Sequence, residues 1–261
     1  MTDLIVTDDA RVRVITFNRP DALNAFNDAL YHAAGSAFEE ADARDDIACV
    51  VLTGTGRAFS AGQDLGEMGR LSAEATPHDF GDQGPGFPHF LDTLAAFPKP
   101  VIAAVNGIGV GIGMTMLLHV DVAFIATTAR LRAPFVPLGV VPEAAGSVLM
   151  PVVMGNQRAA EKLYTGEWIT ADEAVECGLA RRAVAPEELM DAALDLARRI
   201  AKMPVASLRA TKELVVASRI DAVRAARARE DQVFRKMIGQ PANMEAITAF
   251  LEKRDPDFSN L

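Results

Sequence analysis

Apolar positions along the chain recur with two periods, and the strand-like period disappears near residue 186. Val12 to Phe17 alternates well enough for a strand, with Val12, Val14 and Thr16 on one side. Asn18-Arg19-Pro20-Asp21 breaks it. Asn27 or Asp28 is suited to cap a helix running to about Arg44, with Leu30, Ala34, Ala37, Phe38 and Ala41 on one stripe. Ile47 to Thr53 and Val101 to Val105 are apolar runs of the kind found in strands buried on both faces. Between them, residues 66–90 are polar and rich in Gly and Pro, which predicts a mobile surface segment around one short helix. Leu91 to Phe97 reads as a helix end, stopped by Pro98 and Pro100. Further strands are expected at Val122–Ala126, Leu131–Phe135 and Ala180–Val184. Pro142 and Glu143 are expected to open a helix, because Pro suits a first helical position. Thr170 caps a segment with Asp172 and Glu173 in its first turn. Beyond Pro186 the pattern is helical throughout: 187–202, 205–219, 221–238 and 242–253. Strands alternating with helices, then helices alone, predict an α/β core over 1–186 and a helical assembly region over 187–261.

Ala103 to Asp121 departs from both periods. Its glycines fall at 107, 109, 111 and 113, before a short apolar segment that reads as a buried helix. Glycine at every second position keeps side chains off one backbone face, so another group can approach closely. A helix N-terminus there would add unpaired N–H groups. Tight strand–helix packing accounts for the same glycines equally well. Dinucleotide binding does not, since the spacing is G-x-G-x-G-x-G and no Lys-Ser/Thr follows Gly113.

Composition narrows the function further. Half of the 261 residues are apolar and 23% are charged, as in ordinary globular proteins. A net charge of −9 argues against nucleic acid or an anionic membrane as partner. No signal peptide or bilayer-length apolar run is visible, and Ser259-Asn260-Leu261 is not the peroxisomal tripeptide, so a cytoplasmic protein is expected. Cys49 and Cys177 form no CxxC pair, and the four histidines fall in no metal-binding spacing. His119 reads as a satisfied core residue. Ala58-Phe59-Ser60-Ala61-Gly62 is one residue away from a nucleophile elbow. A hydrolase of that type needs a histidine late in the chain, and the last one is His119.

Three segments together resemble the crotonase, or enoyl-CoA hydratase/isomerase, superfamily. They are Arg57-Ala58-Phe59-Ser60-Ala61-Gly62-Gln63-Asp64-Leu65, Lys99 to Gly107, and the glycine stretch ending in Asp121. Asn18-Arg19-Pro20 with Leu23-Asn24-Ala25, and Phe250-Leu251-Glu252-Lys253-Arg254, also match, so the resemblance covers essentially the whole chain. It implies an α/β fold, a spiral of ββα units whose C-terminal helices pack trimers or hexamers. It implies acyl-CoA thioester substrates, an enolate-like intermediate and no cofactor apart from the coenzyme A of the substrate. Two main-chain N–H groups stabilise the thioester oxygen, and motif position assigns them to Ala61 and Ile112. Losing one such donor typically costs about 3 kcal/mol of barrier. The resemblance further implies substrate contacts from Ala22, Leu23, Gly62, Gln63, Asp64, Leu65, Phe135 and Phe250. Lys253 is the counterpart of a lysine that reaches coenzyme A on a neighbouring subunit.

Hydratases of this family carry two glutamates. Here Thr115 stands at the first position and Phe135 follows the proline at the second. Neither is a general base near neutral pH. Leu138-Gly139-Val140-Val141-Pro142-Glu143 instead resembles the Δ3,Δ2-enoyl-CoA isomerases of the peroxisomal type, in which one glutamate moves a proton from C2 to C4. Glu143 is therefore the expected base, against the simpler reading of a carboxylate in a helix's first turn. Hydratase or other crotonase chemistry, and a catalytically silent acyl-CoA binder, remain the alternatives.

Overall fold

The chain passes three times from a large sheet to a small one, and each passage ends near the same place. The computed structural model describes residues 2–64, 66–67 and 85–261. The large sheet has the order β1-β2-β3-β5-β7-β10, formed by Leu4–Asp9, Val12–Phe17, Cys49–Gly54, Val101–Val105, Val122–Ala126 and Arg182–Val184. β1 is antiparallel to β2 and every other pair is parallel. The small sheet, β4-β6-β8-β9, comprises Ala58–Ser60, Ile108–Val110, Arg130–Arg132 and Ile169–Thr170. β3 hands over to β4, β5 to β6 and β7 to β8, which is the spiral of repeated units that the resemblance implies.

Local chemistry explains most of the helices. Asn27 caps α1 (Asp28–Ala43) through its side-chain oxygen, which accepts the Leu30 N–H. The expected stripe of Leu30, Ala34, Ala37, Phe38 and Ala41 is buried. α2 (Gly86–Ala96) packs along α1, with Phe90 and Leu91 in the core. α3 (Ile112–Thr115) and the 3-10 turn Met116–Leu118 form the short buried helix after the glycines. Then come α4 (Gly146–Met154), α5 (Asn156–Thr165) and α6 (Ala171–Glu176). Thr170 and Glu173 close a reciprocal capping box on α6. The tail is α7 (Leu189–Ala201), α8 (Val205–Ala217), α9 (Ile220–Met237) and α10 (Pro241–Glu252). α7 packs on β3, β5 and β7, so its buried alanines at 193, 197 and 201 belong to the main core although they lie past residue 186.

Two expectations need correction, and one strand was not anticipated. On β2 the core-facing set includes Ile15 and Phe17, while Val14 and Thr16 are half-buried. Arg13 shares that buried side because its guanidinium is held by Asp8 and the Ala37 carbonyl. β1 carried no clear signal, because as an edge strand it is mostly exposed and has little need of apolar alternation. Pro142 and Glu143 do not open a helix. They lie in an irregular stretch, and α4 begins at Gly146. The expected surface segment falls largely on residues 68–84, outside the described residues, and its last part forms the start of α2.

Candidate active site

β4 and β6 run parallel with Ser60 beside Gly109, so the loops that follow leave the small sheet side by side. Gln63 and Ile112 each lie three residues beyond that pair. The loops touch closely. A Cβ on Gly62, whose φ is +94°, would sit 2.7 Å from the Val110 carbonyl oxygen, and one on Gly113 would collide with the Ser60 carbonyl. Alternating glycine therefore serves the close main-chain approach expected of it.

Hydrogen-bond accounting then separates the main-chain donors. The Ala61 N–H donates to the Leu23 carbonyl at 2.9 Å, so it is already used inside the protein. This corrects the assignment of Ala61 as an oxyanion donor. Gly62 N–H donates to Ser60 Oγ. Among the described residues, no acceptor is recorded for the N–H of Gln63 or of Ile112. Two adjacent loops thus present two unpaired donors. The free Ile112 N–H is compatible with the role expected of it, whereas Gln63 was expected for substrate contact. Only the Leu23 bond, invisible in the sequence, decides between Ala61 and Gln63.

Glu143 is tied to α3, the helix that begins at Ile112. Thr115, one turn beyond Ile112, donates its hydroxyl to Glu143 Oε1 at 3.2 Å, with the Gly111 carbonyl as a competing acceptor at 3.2 Å. Tyr31, buried in α1, donates its hydroxyl to Gln63 Oε1 at 2.9 Å. Burial raises the Tyr31 pKa, and the negative charge of Glu143 adds to it, which places the two groups in one neighbourhood. Burial pushes the Glu143 carboxyl up to about 8; the Thr115 hydroxyl opposes this, and the charges of Glu230 and Asp231 reinforce it. The residue itself keeps partial exposure. A part-exposed carboxyl of high proton affinity beside two free N–H donors can exchange a proton with a bound carbonyl compound.

The backbone that presents Glu143 is strained. Ala144 and Ala145 are both left-handed, with φ of 57° and 59°. A non-glycine residue in that region costs about 1–2 kcal/mol. The neighbourhood offsets the cost. His119 Nε2 lies 2.8 Å from the Ala144 carbonyl, and burial holds its pKa down at about 4, so the neutral ring donates there. Gly146 N–H donates to the Glu143 carbonyl, and Glu230 accepts the Ala145 and Ser147 N–H groups.

The remaining expected residues separate into near and far. Ala22 and Leu23 end a 3-10 turn, where Asn24 fastens the Arg19 N–H and the Thr55 and Ala58 carbonyls. Asp64 is committed to structure. Burial pushes its carboxyl up, but the Glu67 N–H and the Arg19 guanidinium, 3.0 Å away, outweigh this and hold it below the ordinary range. Leu65 lies outside the described residues. Phe135 is buried at the start of the 3-10 turn Val136–Leu138. Phe250, 61% exposed, and Lys253 stand at the exposed end of α10, and within one chain no recorded contact joins them to Glu143. Ser60 is buried, its hydroxyl oxygen accepts the Gly62 N–H, and among the described residues no histidine is hydrogen-bonded to it. Among the described residues there is no cluster of potential metal ligands and no helix long and apolar enough to cross a membrane.

Comparison with known proteins shows the family and the fold. A family model described as enoyl-CoA hydratase/isomerase matches residues 7–260. The chain is 36% identical to the 2,3-dehydroadipyl-CoA hydratase of Escherichia coli (strain K12), over 99% of either chain. It is 34% identical to the 1,2-epoxyphenylacetyl-CoA isomerase of the same organism, over 95% of either chain. A crystal structure of an enoyl-CoA hydratase/isomerase from Pseudoalteromonas atlantica T6c superposes with a TM-score of 0.92 at 33% identity, covering 99% of this chain and 100% of that one. An enoyl-CoA hydratase from Mycobacterium marinum is 47% identical, covering 83% of this chain and 100% of that one, with a TM-score of 0.76.

Proposed function

The chain belongs to the enoyl-CoA hydratase/isomerase family of the crotonase superfamily, and on that premise we propose that it is a Δ3,Δ2-enoyl-CoA isomerase with Glu143 as its base. Carrying the reading is the one raised carboxyl among the described residues, at about 8, touching a threonine where the family's hydratases hold a further glutamate. The Glu143 carboxylate removes the C2 proton of a 3-enoyl-CoA. The electron pair spreads over the allylic system onto the thioester oxygen, where the N–H groups of Gln63 and Ile112 receive the charge. The protonated carboxyl then returns the proton at C4, leaving trans-2-enoyl-CoA and regenerating the base. One carboxylate suffices because removal and delivery occur on the same face. A pKa near 8 leaves about one tenth of the base ionised at pH 7 and gives it greater proton affinity than an ordinary glutamate.

Hydration is the second reading, favoured by the names of several relatives, among them a short-chain-enoyl-CoA hydratase of Clostridium acetobutylicum at 31% identity. It calls for a second group to activate water. Of the nearby carboxylates, Asp64 is held by Arg19 and Glu230 by the turn after Glu143, which leaves Asp231 as the group hydration would have to use. The proposal extends to a homotrimer or a pair of trimers acting in the cytoplasm on acyl-CoA thioesters, with no cofactor beyond the substrate's coenzyme A. Exposed Leu214, Phe250 and Leu251 on the tail helices support the assembly, which would also give Lys253 its role at a neighbouring subunit.

The test is to incubate the protein separately with 3-enoyl-CoA and 2-enoyl-CoA and to identify the products. Isomerisation is expected to outpace hydration, and Glu143→Gln is expected to lower isomerase turnover by roughly 10²–10⁴-fold. Faster hydration overturns the isomerase assignment. Thioester binding without turnover of either substrate identifies a silent binder.

A further inference from the structure

Glu230 is a carboxylate only 6% exposed, and it has no lysine or arginine within ion-pair distance among the described residues. Its acceptors are spent on one short stretch. Oε2 takes the Ala145 N–H at 2.7 Å, and Oε1 takes the Ser147 N–H at 2.8 Å together with the Ser147 hydroxyl. Ala145 is the second of the two left-handed alanines that follow Glu143. The carboxylate comes from α9, 85 residues further along the chain.

We propose that Glu230 is a positioning residue for Glu143, holding the Ala144–Ala145 turn in the form that presents the base to substrate. The inference rests on Glu143 being that base. A turn with two adjacent left-handed alanines has no local reason to persist, and neither alanine brings a side chain able to hold it. The hold comes from two sides, His119 on the Ala144 carbonyl and Glu230 on the N–H groups flanking Gly146. A simpler role for Glu230, capping the N-terminus of α4 from a distance, accounts for the same bonds but links them only to stability. The two roles part in catalysis, since a cap sets stability alone and a positioning residue sets where the base stands. Groups facing Glu143 are the Thr115 hydroxyl from α3, the Tyr31 phenol from α1, and Glu230 and Asp231 from α9; the neutral His119 ring follows the 3-10 turn. Removing the Glu230 charge takes away a like charge that disfavours ionised Glu143.

The test is Glu230→Gln, which keeps the shape but offers one acceptor oxygen in place of two. Isomerase turnover is expected to fall about 10²-fold with KM little changed, as for a base displaced by about 1 Å. The midpoint of the kcat/KM–pH profile is expected to move to lower pH. Combined with Glu143→Gln, it should add no further loss, because Glu230 acts through the base. A lowered melting temperature with turnover unchanged, or losses that multiply in the double variant, overturns the proposal in favour of a structural cap. Should Glu230→Gln not fold, Glu230→Asp keeps the charge but not the reach. It must then lose turnover, again without multiplying the Glu143→Gln loss, or the proposal fails. Near-normal turnover of Glu143→Gln alone instead removes the underlying assignment of the base, so the two failures are distinct.

Discussion

Replacing Glu143 by glutamine should make the protein more stable in alkaline solution and leave its stability in acid nearly unchanged. The folded-state pKa of this carboxyl is raised, from 4.5 to about 8. Between those values the native protein holds a proton that the unfolded chain has released. Stability linked to this group is therefore fully present below about pH 4.5 and is lost progressively as the pH rises through 8. At about 1.4 kcal/mol per pH unit, the interval sets a ceiling near 5 kcal/mol. Glu143 keeps partial exposure, and solvent screening there reduces the expected gain to roughly 1–3 kcal/mol. Glutamine escapes the loss because it never ionises. For a chain of this size, about 1 kcal/mol moves the melting temperature by roughly 2–4 °C. Thermal unfolding of wild type and Glu143→Gln at pH 5 and pH 9 is the assay. Superimposed curves at pH 5 and a variant several degrees more stable at pH 9 are expected. A difference independent of pH, or a variant less stable at pH 9, would refute the reasoning about burial and with it the elevated proton affinity of the base.

Three further outcomes follow from the same geometry. The kcat/KM of isomerisation should rise with pH and level off above about 8, and Thr115→Val, which removes a hydrogen bond that lowers the Glu143 pKa, should shift the profile to higher pH; a profile flat from pH 6 to 9 contradicts this. Gly113→Ala should reduce turnover strongly through its clash with the Ser60 carbonyl, which pushes the two donor loops apart; kinetics and melting of the variant decide, and near-normal turnover rejects the close approach. Lys212→Met should destabilise by roughly 1–2 kcal/mol, because buried Lys212 donates to the Lys99 carbonyl and to Asp121, whose exposure lets water replace the lost partner; urea unfolding measures it, and an unchanged midpoint rejects a stabilising role for the bridge.

Periodicity in the sequence identified the parts of the fold whose burial is one-sided or complete. The α1 stripe, the apolar runs of β3 and β5 and the capping box at Thr170 all follow from neighbours in sequence. β1 escaped because an exposed edge carries little pattern. The site was legible as motifs and not as bonds. Glu143 stands out beside Thr115 and Phe135, but Pro142-Glu143 suggests a helix start, and nothing about two alanines announces a left-handed turn. That turn depends on His119 and Glu230, one upstream and one far downstream. Ala61 and Gln63 lie in the same motif, and a single bond to Leu23 separates a used donor from a free one.

The parallel pairing of Ser60 with Gly109 has an evolutionary consequence. Because the two proposed oxyanion donors are main-chain groups set by strand register, the pair tolerates change in side-chain identity, and a bulky isoleucine can occupy position 112. It has no comparable tolerance for change in length. One residue inserted in the 55–57 link or at 106–107 would slide one loop past the other, carrying Gln63 out of step with Ile112. Descendants of this chain can therefore substitute widely around the thioester site, while insertions and deletions should be confined to segments outside these two short links.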